Sequence, residues 1–269
     1  MKHWRRNIPA YLQIILLRIQ EDYTYRANLA IQLVGLLLKV YLLKMVFVAV
    51  YAGRGSVDGI ALQQVVTFVT LSNLQVFLLF PVIGVYVRER VRGGQVALDL
   101  ARPAPFPSQL IALQAGATLA LIPFVTLALP FAVLLGGIQV PPSFTAALLY
   151  IVSLGLGYLV AMLIGLLLGL MAFWTTEIGG VLTIYAFANQ FFGGVLVPLW
   201  FFPPLLHRVA DLLPFQAQAF IPSSLYTGQL AGTQALKALE LQMFWVVVLF
   251  ALARLVWQRA MYRVVIQGG

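Results

Sequence analysis

Long apolar runs separated by short polar segments make up nearly the whole chain. The runs cover residues 27–50, 62–87, 109–135, 144–173, 178–199 and 236–257. Each reaches the roughly 20 residues that a helix needs to cross the hydrocarbon core of a bilayer. The pattern predicts an all-α integral membrane protein with six transmembrane helices in a single transmembrane domain, residues 1–269.

Three polar segments lie between or beside the predicted spans. Residues 1–26 place basic groups around an apolar stretch too short to span, which is typical of an interfacial helix. A cytosolic helix packed on a partner is the alternative. Residues 202–232 are divided by four prolines, so we expect short extracellular helices between spans five and six. Residues 88–107 form a loop between spans two and three.

Composition agrees with a membrane protein and not with a soluble one. Of 269 residues, 62% are hydrophobic and 9% are charged, whereas soluble domains carry roughly 25% charged residues. The net charge of +9 could indicate nucleic-acid binding. Since the basic residues lie at the ends of apolar runs, topology explains them better, and we expect lipid and no nucleic acid as a partner.

The distribution of basic residues predicts the orientation. Twelve of the seventeen Lys and Arg residues lie in the N-terminal segment, in the loop after span two or at the C-terminal end, while Arg54, Arg208 and Lys237 lie on the opposite side. Positive charge is retained on the cytoplasmic side of membrane proteins. We therefore expect a multi-pass protein of the cell inner (plasma) membrane with both termini cytoplasmic.

Catalytic chemistry is not indicated anywhere in the chain. The sequence has no GxxxxGK[ST] phosphate loop and no Cys, and its His207 and Asp211 are too few to complete a metal site. The acidic residues lie at or outside the span ends, which disfavours a proton relay, although sodium bound by backbone carbonyls remains open. We expect no catalytic residue, metal or cofactor here, and an energy source on another polypeptide.

Two lysines and a stripe of small residues are the features inside the spans. Lys39 and Lys44 lie in span one, where each either contacts substrate along a polar path or extends its amine to the interface. A repeat of small residues every four positions in span four predicts close helix packing, with a helix of the same chain favoured over one of another chain. The stripe consists of Ser153, Gly157, Ala161, Gly165 and Gly169.

Three further segments stand out at the entry to span one, after span two and before the last span. They are Tyr25-Arg26-Ala27-Asn28-Leu29, Val91-Arg92-Gly93-Gly94-Gln95-Val96-Ala97-Leu98-Asp99-Leu100-Ala101-Arg102-Pro103, and Leu213-Pro214-Phe215 with Phe220-Ile221-Pro222 and Gly228. Together they resemble the membrane subunit of a type-2 ABC exporter, in the branch that pairs two different six-span permeases. The middle segment is similar to the family's glycine and Leu-x-Arg-Pro signature, with Ala101 where a bulkier aliphatic residue is commoner.

The resemblance implies a transport role and several partners. It implies half of a translocation path for an amphipathic, drug-like or lipid-like substrate, with ATP and Mg bound by two copies of a cytoplasmic ABC ATPase. It also implies a second permease, either a paralogous chain or a second copy of this one. The residues assigned to ATPase coupling are Arg88, Arg90, Arg92, Gly93, Gly94, Leu98, Leu100, Arg102 and Pro103.

Two other classes of function stay open at this point. An ATP-independent secondary carrier would also need many spans, and so would a membrane enzyme or assembly factor acting on lipids. The sequence does not identify the substrate, and the direction of transport follows only from the resemblance.

Overall fold

Helices dominate the computed structural model, which describes residues 8–175 and 177–267. The expected interfacial segment therefore lies partly outside the described residues, since Lys2, Arg5 and Arg6 are among residues 1–7. The helices are α1 Ile8–Thr24, α2 Arg26–Tyr51, α3 Leu62–Leu78, α4 Ile83–Arg92, α5 Val96–Leu100, α6 Phe106–Gly136, α7 Phe144–Met171, α8 Gly179–Phe192, α9 Pro204–Asp211, α10 Phe220–Tyr226 and α11 Gly232–Gln267. A short hairpin, β1 Ser56–Val57 and β2 Ile60–Ala61, follows α2, and two 3₁₀ turns cover Leu199–Phe201 and Pro214–Ala217.

Five helical segments in the described part of the chain are long and apolar enough to cross a membrane. They are Arg26–Tyr51, Leu62–Arg92, Phe106–Leu134, Phe144–Met171 and Gly232–Tyr262. These segments correspond to predicted spans one, two, three, four and six. The all-α membrane class is therefore supported.

The predicted fifth span, residues 178–199, is not confirmed as a long helix. Its helix α8 has 14 residues, about 21 Å at 1.5 Å per residue, which is shorter than a hydrocarbon core of about 30 Å. The helix ends at Gly193, and Gly194 has a φ of 73° that favours glycine. A 3₁₀ turn follows in place of further α-helix.

The part of the chain that connects α7 to α11 nevertheless runs the length of the bundle. Beside the C-terminal end of α7, Glu177 forms ion pairs with Arg88 and Arg92. Beside the N-terminal end of α7, the Tyr226 hydroxyl donates to the Gln139 carbonyl at 3.0 Å. Because these two ends are about 40 Å apart along α7, residues 177–226 pass from one end of the bundle to the other.

The segment before α11 differs from the expectation of short helices at the outer surface. Helix α9 is largely exposed, as expected, but six of the seven residues of α10 are buried. Ser223 of α10 accepts a hydrogen bond from Ser72 of α3 at 2.9 Å and donates one to Gln75 at 3.2 Å. The segment can enter the bundle because side chains of the long helices satisfy its polar groups.

Helix α1 packs against α6 of the same chain. A Cβ atom at Gly116 of α6 would lie 2.9 Å from the Ile15 carbonyl oxygen, so a glycine is needed for this close approach. Tyr11 is buried in the same contact, whereas Leu12 and Leu16 on the other face are more than half exposed. The exposed apolar face suits a helix that lies along a membrane interface.

Candidate functional site

The loop after span two is an ordered, largely helical segment, which we call the coupling segment and define as residues 88–107. Its first turn ends α4 with a Schellman motif, in which the Gln95 N–H donates to the Arg90 carbonyl and the Gly94 N–H donates to the Val91 carbonyl. Gly94 has a φ of 69°, whereas Gly93 has a φ of −81°. The turn therefore requires glycine at position 94 and not at position 93.

Asp99 is the centre of the coupling segment, and sequence reasoning missed it. Its side chain is 1% exposed, and its two oxygens accept from the Arg90 guanidinium at 2.6 and 2.7 Å. The second cation in contact is Arg102, at 3.3 Å. The Gln109 amide binds the Asp99 carbonyl at 2.9 Å, which ties the segment to the start of α6. The sequence offered two acids among the four arginines of this segment, Glu89 and Asp99.

Arg88 and Arg92 connect the coupling segment to the loop after α7. Both guanidinium groups contact the Glu177 carboxylate, at 2.9 and 3.3 Å. The Gly179 N–H, which donates to Glu177 at 2.8 Å, and the nearby Arg88 lower the pKa of this carboxyl group. The group is exposed, so each ion pair contributes little to stability. Arg88, Arg90 and Arg92 thus have partners within the chain itself.

The exposed surface of the coupling segment includes one large apolar side chain, Leu98. Leu98 is 68% exposed, whereas Leu100 and Val96 pack against the core formed by α4, α7 and α11. The Arg102 side chain is about half exposed. Leu98 and Arg102 are therefore open to contact with another protein.

A cavity of about 500 Å³ with both polar and apolar walls is the second feature of functional interest. It lies among α1, α2, α3, α6 and the end of α8, with Lys39 on its wall. Asn28, Gln32 and Gly35 line it as well, and the spacing of these positions places them on one face of α2. Of these three residues, the sequence analysis named only Asn28, as part of the segment at the entry to span one, although their helical spacing up to Lys39 could have indicated the face.

Lys39 lies about 20 Å from the start of α2, near the middle of the predicted span. Its Nζ donates to the Gln190 Oε1 at 2.8 Å. A lysine at the bilayer centre costs roughly 2.5 to 3.5 kcal/mol on insertion scales, and a neutral amide offsets only part of that cost. Lys44 is partly exposed and does not line the cavity.

The other charged residues of the cavity wall lie on α1. Arg18 pairs with Asp22 at 2.8 Å and with Glu21 at 3.1 Å. Burial raises the pKa of Asp22, and the charge of Arg18 acts in the opposite direction. The arginine is therefore compensated by acids of its own helix.

The stripe of small residues on α7 contacts other parts of the same chain. A Cβ atom at Gly157 would lie 2.8 Å from the Ala217 carbonyl oxygen, and one at Gly165 would lie 2.5 Å from the Pro81 Cβ. Small residues at these positions allow backbone segments to approach closely. The stripe members are Ser153, bonded to Gln242; Gly157; Ala161, fully buried; Gly165; and Gly169, against Ile83 and Val87.

No group of three His, Cys, Asp or Glu side chains that could hold a metal ion occurs within the described residues. His207 and Asp211 are paired at 3.1 Å on α9, and Asp211 also accepts from the Gln216 amide. The pair lies away from both the coupling segment and the cavity.

The fold and these two features define a multi-pass helical membrane protein with an ordered polar segment at one end of its bundle. Residues 36–268 match the family model described as ABC-2 family transporter protein. The chain belongs to the ABC-2 transporter family, and it is an ABC transporter permease. The match includes the coupling segment and the buried segment before α11. No curated protein sequence matches the chain significantly.

Proposed function

We propose that this permease forms half of the translocation path of an ATP-driven exporter for an amphipathic, drug-like or lipid-like substrate. The observation that carries the proposal is the coupling segment. Its backbone is held by Asp99 and its exposed apolar residue is Leu98. A partner that pushes on this segment would move α4 with it, because the ion pair joins the two.

The partner in this proposal is a cytoplasmic ABC ATPase in two copies, which binds ATP and Mg. The chain has no GxxxxGK[ST] phosphate loop of its own, so hydrolysis belongs to that partner. A second permease completes the path. It is a paralogous chain in this proposal, and a second copy of this chain is the alternative outcome.

In the proposed topology, the chain crosses the inner (plasma) membrane of the cell six times, and both termini lie in the cytoplasm. The coupling segment and residue 177 lie at the cytoplasmic end. Since residues 177–226 run to the other end of the bundle, α8 and the chain that follows it make the fifth crossing together. Twelve basic residues at or near the cytoplasmic end support this orientation.

Co-purification tests the proposal. The chain is expressed with the ATPase and the second permease encoded beside it, and the complex is purified in detergent and reconstituted into vesicles. We expect the ATPase to be retained and lipid-like dye to move only with hydrolysable ATP. Ion-gradient-driven flux by the chain alone would favour a secondary carrier, and turnover of lipid without a partner would favour an enzyme; either result contradicts the proposal.

A further inference from the structure

The cavity beside Lys39 has an excess of positive charge. The charged side chains that line it are Arg18, Asp22 and Lys39. Arg18 pairs with Asp22 and also with Glu21, which does not line this cavity. No carboxylate of the described residues forms an ion pair with Lys39, whose hydrogen-bond partner is the neutral Gln190 amide. Among the charged residues that line the cavity, one unit of positive charge is therefore left, and it lies on Lys39.

The position of the Lys39 amine is fixed by the end of α8. Gln190 is in the last turn of that helix, and its carbonyl oxygen accepts from the Val195 and Leu196 N–H groups at 3.2 Å. The helix end thus holds the residue whose Oε1 accepts from Lys39. An ammonium group has three donors, and one bond to Gln190 leaves donors for a further acceptor.

The remaining walls combine polar and apolar surface, which suits a molecule with one polar and one apolar part. Asn28 and Gln32 continue the polar face of α2 towards α1, whereas Phe77 and Leu121 supply apolar wall from α3 and α6. A Cβ atom at Gly35 would meet nothing within 4 Å, so there is open space beside the polar face. The volume of about 500 Å³ is in the range of ordinary ligand sites.

We propose that this cavity binds an anionic amphiphile, with its phosphate or carboxylate on Lys39 and its apolar part against Phe77 and Leu121. An anion there compensates the charge that the protein leaves unpaired, and charge-assisted hydrogen bonds are the stronger kind. As a statement about the transported substrate, the inference rests on the proposed function. As a statement about binding, it concerns this chain alone.

Binding to the purified full-length chain in detergent, without ATP or ATPase, tests the inference. The probes are phosphatidylglycerol, zwitterionic phosphatidylcholine and glycerol 3-phosphate, and bound molecules are counted by native mass spectrometry during titration. We expect phosphatidylglycerol to bind best. We expect Lys39→Gln to weaken it at least about tenfold, as the loss of a charge-assisted hydrogen bond implies.

Two variants with matched controls separate charge from shape. Gly35→Leu fills the open space and should reduce binding, whereas Gly155→Leu, at another exposed position with nothing within 4 Å, should not. Lys237→Gln removes an exposed charge at the start of α11 and should leave binding unchanged.

Three results would overturn the inference. Equal binding of phosphatidylglycerol and phosphatidylcholine, or full binding to Lys39→Gln, would show that the cavity has no anion site. Glycerol 3-phosphate binding as tightly as the lipid would show a site for a soluble anion instead of an amphiphile. Because no step requires ATP, the site can fail while ATP-driven export stands, and export can fail while the site stands.

Discussion

The Arg90 guanidinium donates two hydrogen bonds to the Asp99 carboxylate, of 2.6 and 2.7 Å, across the turn that ends α4. The acid is 1% exposed, and the arginine is also near the ring of Tyr86, at 5.7 Å from its centroid. Helix α5 is only five residues long, too short to be stable alone. Its position relative to α4 therefore depends on this pair.

Replacing Asp99 with Asn should destabilise the coupling segment. The variant loses the negative charge and leaves the partly buried Arg90 guanidinium without its counterion. Losing hydrogen bonds to a charged group costs about 1.5 to 3 kcal/mol of unfolding free energy. Thermal unfolding in detergent measures the change. Arg92→Gln is the control, because its ion pair with Glu177 is exposed. Equal stability of the two variants would show that the Asp99 pair does not hold the segment.

Enlarging Gly157 should disrupt the packing of α7 against the buried segment before α11. A leucine there cannot avoid the Ala217 carbonyl, since even its Cβ would lie 2.8 Å away. Overpacking of this kind costs typically about 1 to 3 kcal/mol. Unfolding temperature and a monodisperse profile on size exclusion are the readouts. Gly155→Leu, two residues away and facing open space, should behave like the wild type; a normal Gly157→Leu protein would contradict the packing.

The contribution of the Glu177 ion pairs to stability should be lost in acid. The Gly179 N–H and Arg88 hold the pKa of this carboxyl below its ordinary value of 4.5. Its contribution to stability is complete above that ordinary value and is lost as the pH falls through the lower pKa of the folded protein. The difference in unfolding temperature between the wild type and Glu177→Gln should be constant near neutral pH and vanish in acid. A difference that persists at low pH would exclude an ionic contribution.

Reporter fusions test the topology. Fusions after Arg92 and after Arg263 should read cytoplasmic, whereas those within residues 56–59 or near Arg208 should read external. A fusion at Glu177 should read cytoplasmic, which would place the fifth crossing between Glu177 and Arg208. An external signal after Arg92 would reverse the orientation and separate the coupling segment from any cytoplasmic ATPase.

The long helices could be predicted from the sequence because their signal is local. A continuous apolar run of the right length is sufficient to identify a span, and five of the predicted spans have long helices at the expected positions. The break inside span two was not predicted. There, Gln114 of α6 accepts from the Val82 N–H at 2.9 Å and donates to the Phe80 carbonyl at 3.1 Å. A partner 32 residues away compensates the backbone groups that Pro81 disturbs.

The contacts that shape the candidate sites join residues distant in sequence. Gln190 is 151 residues from Lys39, and no local pattern could pair them. The prolines of residues 202–232 predict short helices, but they could not show that Ser223 has partners on α3 and therefore lies inside the bundle. Asp99 was overlooked because only basic, glycine, proline and apolar residues were assigned to coupling, although an acid was needed to fix the arginines.

The coupling turn can be tested at its glycines. Gly94→Val forces a branched residue into a φ of 69°, which should disturb the turn and lower ATPase retention. Gly93→Val should be milder, because Gly93 has an ordinary φ and its Cβ would approach the Glu89 carbonyl only to 3.3 Å. Pull-down of the ATPase compares the two variants. Equal retention would indicate that the turn does not position the contact.

ATP-driven transport through the coupling segment is tested most directly by Leu98→Asp, measured as ATP-dependent flux and ATPase retention in reconstituted vesicles. Leu98 is 68% exposed, so the variant should insert and fold normally. We expect flux to fall about 5-fold or more, the size of a typical coupling energy, together with loss of ATPase binding or ATP hydrolysis without transport. The control is Leu212→Asp, equally exposed beyond the end of α9, which should be active. Normal flux and normal ATPase retention in Leu98→Asp would contradict the assignment of this segment as the ATPase contact.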